Sequence, residues 1–168
     1  ELNPVDFDLK NMVEGLGAMF KIRCAQKELD WRLEENLPAG MVRGDEGKLR
    51  QVLINLLGNA VKFTETGGIR LTVERLDPER VRFQVLDTGP GVALEEREAI
   101  FEAFHQEEGE RRRGGTGLGL SISSRQTELM GGQIALESKV GEGSLFHFTL
   151  VLREAADPVS IKVTDLPS

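Results

Sequence analysis

Three stretches of this sequence combine residue types and spacings that could do chemistry. The first is EGKLRQVLINLLGNAVKF, residues 46–63. On a helical wheel Lys48, Gln51, Asn55, Asn59 and Lys62 fall within about 80° of one another. The rest of the circumference is mostly apolar, so a helix here is largely buried and its narrow polar stripe has amides at its centre. Amide oxygens can coordinate magnesium or accept from a metal-bound water, and Lys62 adds a positive point charge suited to phosphate. The same amides could equally satisfy neighbouring backbone groups, and the helix alone does not separate the two.

The second stretch is LDTGPGV, in which Asp87 follows the strand-like VRFQV and glycines stand two and four positions on. An acid at a strand end can accept from an exocyclic amine, while Gly89 and Gly91 let backbone approach a flat ring. Adenine has such an amine and guanine presents a different edge; the pattern also makes ordinary turns. The third is RRRGGTGLGLSIS, with Gly115, Gly117 and Gly119 at every second position where a helix begins. Exposed N–H groups at a helix start form an anion site, and glycine removes side chains that would block a phosphate. The spacing fits neither the G-x-x-x-x-G-K-[ST] loop nor the G-x-G-x-x-G fingerprint. Arg111, Arg112 and Arg113 could neutralise phosphate or form a solvated loop.

Positioning these groups requires alternating elements. VDFDL reads as a short strand, Lys10 to Lys27 as an amphipathic helix, and Leu29, Trp31 and Leu33 as a further alternation. NLPAG then breaks the chain before Asp45, a predicted N-cap for the helix from Glu46 to Phe63. Ile69, Leu71 and Val73, then Val81, Phe83 and Val85, predict an antiparallel pair joined at LDPER. A helix from Leu118 to Met130, stopped by Gly131 and Gly132, precedes the strands QIALES and SLFHFTLVL. Strands and helices mix without strict βαβ alternation, which predicts an α/β sandwich with a mixed sheet.

The 168 residues suffice for one domain. Hydrophobic residues are 39%, charged 29% and aromatic 5%, so the chain is globular with an aliphatic core. A net charge of -7 argues against nucleic acid as the main partner. The single cysteine, Cys24, excludes an intrachain disulfide and a cysteine metal site. No apolar run approaches the roughly 18 residues of a membrane span, and ELNPVDFDLK lacks the features of a signal peptide, so the expectation is a soluble, cytoplasmic chain without direct membrane contact.

Taken in order, NLLGNAVKF, DTGPGV, IFEAF, GGTGLGL and GEGSLF closely resemble the nucleotide-binding boxes of the catalytic domain of sensor histidine kinases, over Val5 to Leu152. VDFDL and RGDEGKLRQVL are most similar to the hybrid branch. The resemblance implies the Bergerat fold, a two-layer α/β sandwich whose mixed, mostly antiparallel sheet is covered on one face by helices. The resemblance makes 1–152 the catalytic domain, and the tail, 153–168, with two prolines and few large apolar residues, reads as a linker. The resemblance implies ATP and Mg2+ as ligands. Asn59 would hold the magnesium, Asn55 and Lys62 would support the phosphate side, and Asn59 and Lys62 would serve catalysis. Asp87 would receive the adenine amine, with Gly89 and Gly91 forming that wall. Phe101 and Phe104 match a phenylalanine box anchoring a lid over 102–114. Gly115, Thr116, Gly117, Leu118 and Gly119 would wrap the phosphates, and Gly141 and Gly143 match the last glycine box.

In that family the phosphoacceptor histidine is followed by an acid on a helix of a dimerisation domain. Neither His105 nor His147 has that context, so the resemblance implies a partner domain bearing the histidine, a receiver domain in the phosphorelay, and a parent that can be a membrane-bound sensor. Two other outputs share the pocket: a nucleotide-gated conformational module, and a serine kinase of the anti-sigma type.

Overall fold

The computed structural model describes residues 1–89 and 118–155. The chain opens with β1 (Val5–Phe7) and α1 (Leu9–Gln26), and continues through β2 (Asp30–Glu35) and β3 (Val42–Gly44) to α2 (Glu46–Phe63). A hairpin of β4 (Gly68–Arg75) and β5 (Arg80–Asp87) follows. Beyond the undescribed stretch come α3 (Leu118–Leu129), β6 (Ala135–Lys139) and β7 (Gly143–Val151). The main sheet has the order β2-β4-β5-β7-β6, with β2 parallel to β4 and every other neighbour antiparallel.

The helices α1 and α2 each start where an acidic side chain can occupy an orphan N–H. Asp8 accepts from Asn11 N at 2.9 Å, and Asp45 accepts from Lys48 N at 3.0 Å. From there α1 buries Leu9, Met12, Val13, Leu16, Phe20 and Cys24, a spacing of three and four that lays one face on the sheet. Seven residues of α2 are buried, from Leu49 to Val61. Lys27, just past the end of α1, donates its ammonium to the carbonyls of Val61 at 2.6 Å and Lys62 at 3.0 Å. This satisfies two acceptors that the last turn of α2 leaves open and fixes the direction in which that turn points.

The sheet turns one row of alternate residues toward the helices: Ile69, Leu71 and Val73 from β4, Val81, Phe83 and Val85 from β5, Phe148 and Leu150 from β7. Phe83 and Phe148 stack with centroids 4.9 Å apart. Truncating either to alanine in so dense a layer costs about 3 to 5 kcal/mol. The opposite face carries polar groups, among them the pairs Glu74–Arg82 at 2.6 Å and Glu137–His147 at 3.0 Å. The expected sandwich is therefore present, with helices on one face.

One strand escaped the sequence reading. Val42–Gly44, placed after the break NLPAG, pairs antiparallel with β1 in a separate ribbon, Val5 opposite Gly44. Three residues are too few to show alternation. Arg153–Ala155, expected to open the tail, lies along the same ribbon: Arg43 N donates to Arg153 O at 3.0 Å and Ala155 N to Met41 O at 2.8 Å.

Candidate nucleotide-binding site

Strand periodicity puts Asp87 where it can act. Val81, Phe83, Val85 and Asp87 share the inward face of β5, so the last member of an apolar row is an acid. Asp87 is 8% exposed, and its Oδ1 accepts from Gly89 N at 2.8 Å. Burial pushes its carboxyl above the usual carboxylate range, opposed by the backbone N–H groups of Gly89 and Ser144. Ser144 is its register partner on β7, and the adjoining Gly143, at φ +121, lies against the Asp87 carbonyl where a side chain would collide. A Cβ on Gly89 would lie 2.9 Å from Asp87 Oδ1 and 3.2 Å from both Phe63 O and Thr64 Oγ1. The last turn of α2 thus meets the acid at the end of β5.

The polar stripe of α2 divides in two. Lys48 turns back to the N-cap, its Nζ 3.2 Å from Asp45 Oδ2. Gln51 and Asn55 face α3: Gln126 Nε2 donates to Gln51 Oε1 at 2.7 Å, and Asn55 Nδ2 donates to the buried Ser123 Oγ at 3.1 Å. This part of the stripe registers one helix on another, and the oxygen of Asn55 accepts from no described residue. Asn59 and Lys62 are half-buried, and neither side chain hydrogen-bonds any described residue; the Lys62 ammonium sits 5.1 Å from the Phe63 ring centroid. The expectation that the stripe acts as one face is corrected: Lys48 pairs with Asp45, and Gln51 and Asn55 pair with α3.

Leu118 and Gly119 form the start of α3, the helix that Asn55 and Gln51 grip. Gly141, at φ +84, and Gly143 bracket the β6–β7 turn beside Asp87. Gly91, Phe101, Phe104, the lid over 102–114, the three arginines, Gly115, Thr116 and Gly117 lie outside the described residues. Thr64, Ser123 and Ser144 were missed. Each looks like an ordinary helix, turn or strand hydroxyl in sequence, and only the long-range contacts bring them to the site.

A family model described as histidine kinase-, DNA gyrase B-, and HSP90-like ATPase matches residues 44–154. The chain belongs to this ATPase family. It is similar to the sensor histidine kinase AruS of Pseudomonas aeruginosa, with 48% identity over 160 residues that cover 90% of this chain and 16% of AruS. The sensory/regulatory protein RpfC of Xanthomonas campestris pv. campestris is 37% identical over 172 residues, 97% of this chain and 23% of RpfC. The chain thus spans about a sixth to a quarter of the length of these relatives. Full-length ShkA, solved in complex with AMPPNP, superposes with a TM-score of 0.81 at 40% identity, over 94% of this chain and 33% of ShkA. The nucleotide-free catalytic domain of histidine kinase ThkA gives 0.76 at 30%, covering 89% of this chain and 97% of that domain. ThkA has also been solved with the response regulator protein TrrA; that ThkA chain aligns with a TM-score of 0.73 at 29% identity, over 89% of this chain and 42% of its own length. The chain is therefore an ATPase domain of the sensor histidine kinase type, and its family is ATP-binding.

Proposed function

We propose that this domain binds Mg-ATP and presents the γ-phosphoryl group to a histidine on a separate dimerisation domain of the same kinase. One observation carries the reading: the buried, glycine-walled Asp87 meets the end of an otherwise apolar helix whose Asn59 and Lys62 side chains hydrogen-bond no described residue. In the proposed complex Asp87 accepts the exocyclic amine of adenine and Gly89 and Gly91 line the base. Asn55 and Lys62 face the phosphates, with the segment from Gly115 through Thr116, Gly117 and Leu118 to Gly119 around them.

The donor set fits magnesium bound together with a nucleotide. Asn59 offers one hard oxygen, and among the described residues no group of three metal-ligating side chains occurs, so these residues need the nucleotide's oxygens to complete a magnesium shell. When bound, the metal neutralises charge on the transferring phosphates. The chain's own contribution is to orient: Asn59 holds the metal side, Lys62 adds positive charge and Asp87 fixes the base. The bond from the γ-phosphorus to its bridging oxygen breaks, a P–N bond to imidazole forms, the imidazole proton leaves and ADP departs. Positioning dominates such a transfer. A receiver domain would take the phosphoryl group onward. Among the described residues no helix is long and apolar enough to cross a membrane; a cytoplasmic setting accords with an ATP-dependent reaction.

Calorimetry with ATP, ADP and GTP tests the reading. A hydrogen bond to a charged group contributes about 1.5 to 3 kcal/mol, so Asp87→Ala should weaken ATP binding roughly ten-fold to a hundred-fold. GTP should bind weakly to both proteins. Equal affinity for GTP, or an unchanged Asp87→Ala protein, would remove the adenine assignment.

A further inference from the structure

Thr64 stands directly after α2 in extended backbone, φ −95° and ψ 120°, with its N–H on the Ala60 carbonyl at 3.0 Å. It is 0% exposed, and among the described residues its hydroxyl has no hydrogen-bond partner. Buried hydroxyls are seldom left unpaired, because the lost hydration is not regained. This one lies at a telling place. A Cβ on Gly89 would be 3.2 Å from Thr64 Oγ1 and 2.9 Å from Asp87 Oδ1, so hydroxyl, acid and glycine wall border the same small volume. The C-cap geometry holds it there without side-chain help.

An ionised carboxylate only accepts hydrogen bonds, whereas a hydroxyl can also donate. The adenine edge sets a donating amine between two accepting ring nitrogens. A carboxylate answers only the amine, and it would accept an N–H from guanine as well. Discrimination needs a donor beside the acid. We propose that Thr64 is that specificity-determining residue: its hydroxyl donates, directly or through one bound water, to a ring nitrogen flanking the amine that Asp87 holds. The inference rests on the adenine reading of Asp87 and adds the second half of base recognition.

Thr64→Val removes the hydroxyl and keeps the shape. Because the hydroxyl is unpartnered in the free protein, the variant should melt at the same temperature as the parent or higher, yet bind ATP about three-fold to ten-fold more weakly. Calorimetry with 1-deaza-ATP and 7-deaza-ATP gives the deciding readout. The parent should bind one of these analogues several-fold more weakly than ATP, Thr64→Val should bind that analogue and ATP alike, and Thr64→Ser should restore the difference. A change in fold stability alone does not move this ratio. The inference is overturned if the parent discriminates against neither analogue, or if Thr64→Val keeps the parent's ratio. Asp87→Ala, measured alongside, separates the two levels. Unchanged ATP affinity there sinks the adenine reading itself, whereas a weakened Asp87→Ala with an unaffected Thr64→Val sinks only the role of Thr64.

Discussion

Asp87 shows how a single residue acquires a function from its neighbours. The period of two that buries Val81, Phe83 and Val85 also buries the acid, and removal from water raises its pKa. The free protein therefore loses some stability as pH rises from the ordinary carboxylate value through the raised one. Accepting an amine favours the ionised form, so ATP binding should lower this pKa, and affinity should fall as pH drops through the raised value. Comparing wild type with Asp87→Asn as the pH is lowered from neutral cancels the protonation of ATP itself, since both proteins meet the same nucleotide. The affinity ratio should shrink toward acid; a flat ratio would mean that the carboxylate is not at the base. Asn59→Ala gives a second check. Thermal shifts with ATP, with and without magnesium, should show most of the magnesium increment lost and the apo melting point little changed. Retention of the full increment would show that another group holds the metal. Asp87 was legible because its type, strand-end position and glycines stand together in eleven residues of sequence. Thr64 was not: within TETGG it reads as the start of a turn, and its burial beside Gly89 and Asp87 depends on contacts distant in sequence.

At the scale of elements, α2 is both core and site. Its span, Glu46–Phe63, and its N-cap Asp45 were readable, because a capping acid precedes a long apolar pattern and the stop coincides with the turn. What the wheel could not reveal is that α3 takes up half of the polar stripe. Gln51 to Gln126 and Asn55 to Ser123 form a two-rung ladder between α2 and the helix that begins at the glycine-rich segment. Interhelical pairing of this kind depends on contacts 68 and 75 residues apart in sequence, beyond any local pattern. Asn55→Ala and Ser123→Ala should each lower stability by about 0.5 to 1.5 kcal/mol, and the double variant by scarcely more than one of them. Denaturant unfolding of the four proteins reads this directly. Strict additivity would show that the two side chains do not act as a pair.

The described residues form a helical layer on a five-stranded sheet with a two-stranded ribbon beside it, and the candidate site lies where the end of α2 meets the ends of β5 and β7. The sandwich and its mixed sheet followed from the order of periodic segments, but not the strand order. That β2 lies parallel beside β4, and β7 between β5 and β6, reflects pairings between distant segments. The same scale decides the function. Under the proposed reading, a domain of net charge -7 captures a polyanion by local geometry and turns the bound ATP on a histidine of another domain. Neither His105 nor His147 stands before an acid on a helix, so the isolated chain should bind ATP and incorporate almost no phosphate, since transfer depends on an acceptor held in line. The decisive measurement mixes this chain with a separately expressed dimeric helical domain of its parent kinase and γ-labelled ATP. The account predicts label on that domain's histidine, as an acid-labile, base-stable phosphoryl group, dependent on Asp87 and Asn59. Label on serine, or nucleotide-dependent docking with no transfer, would contradict it.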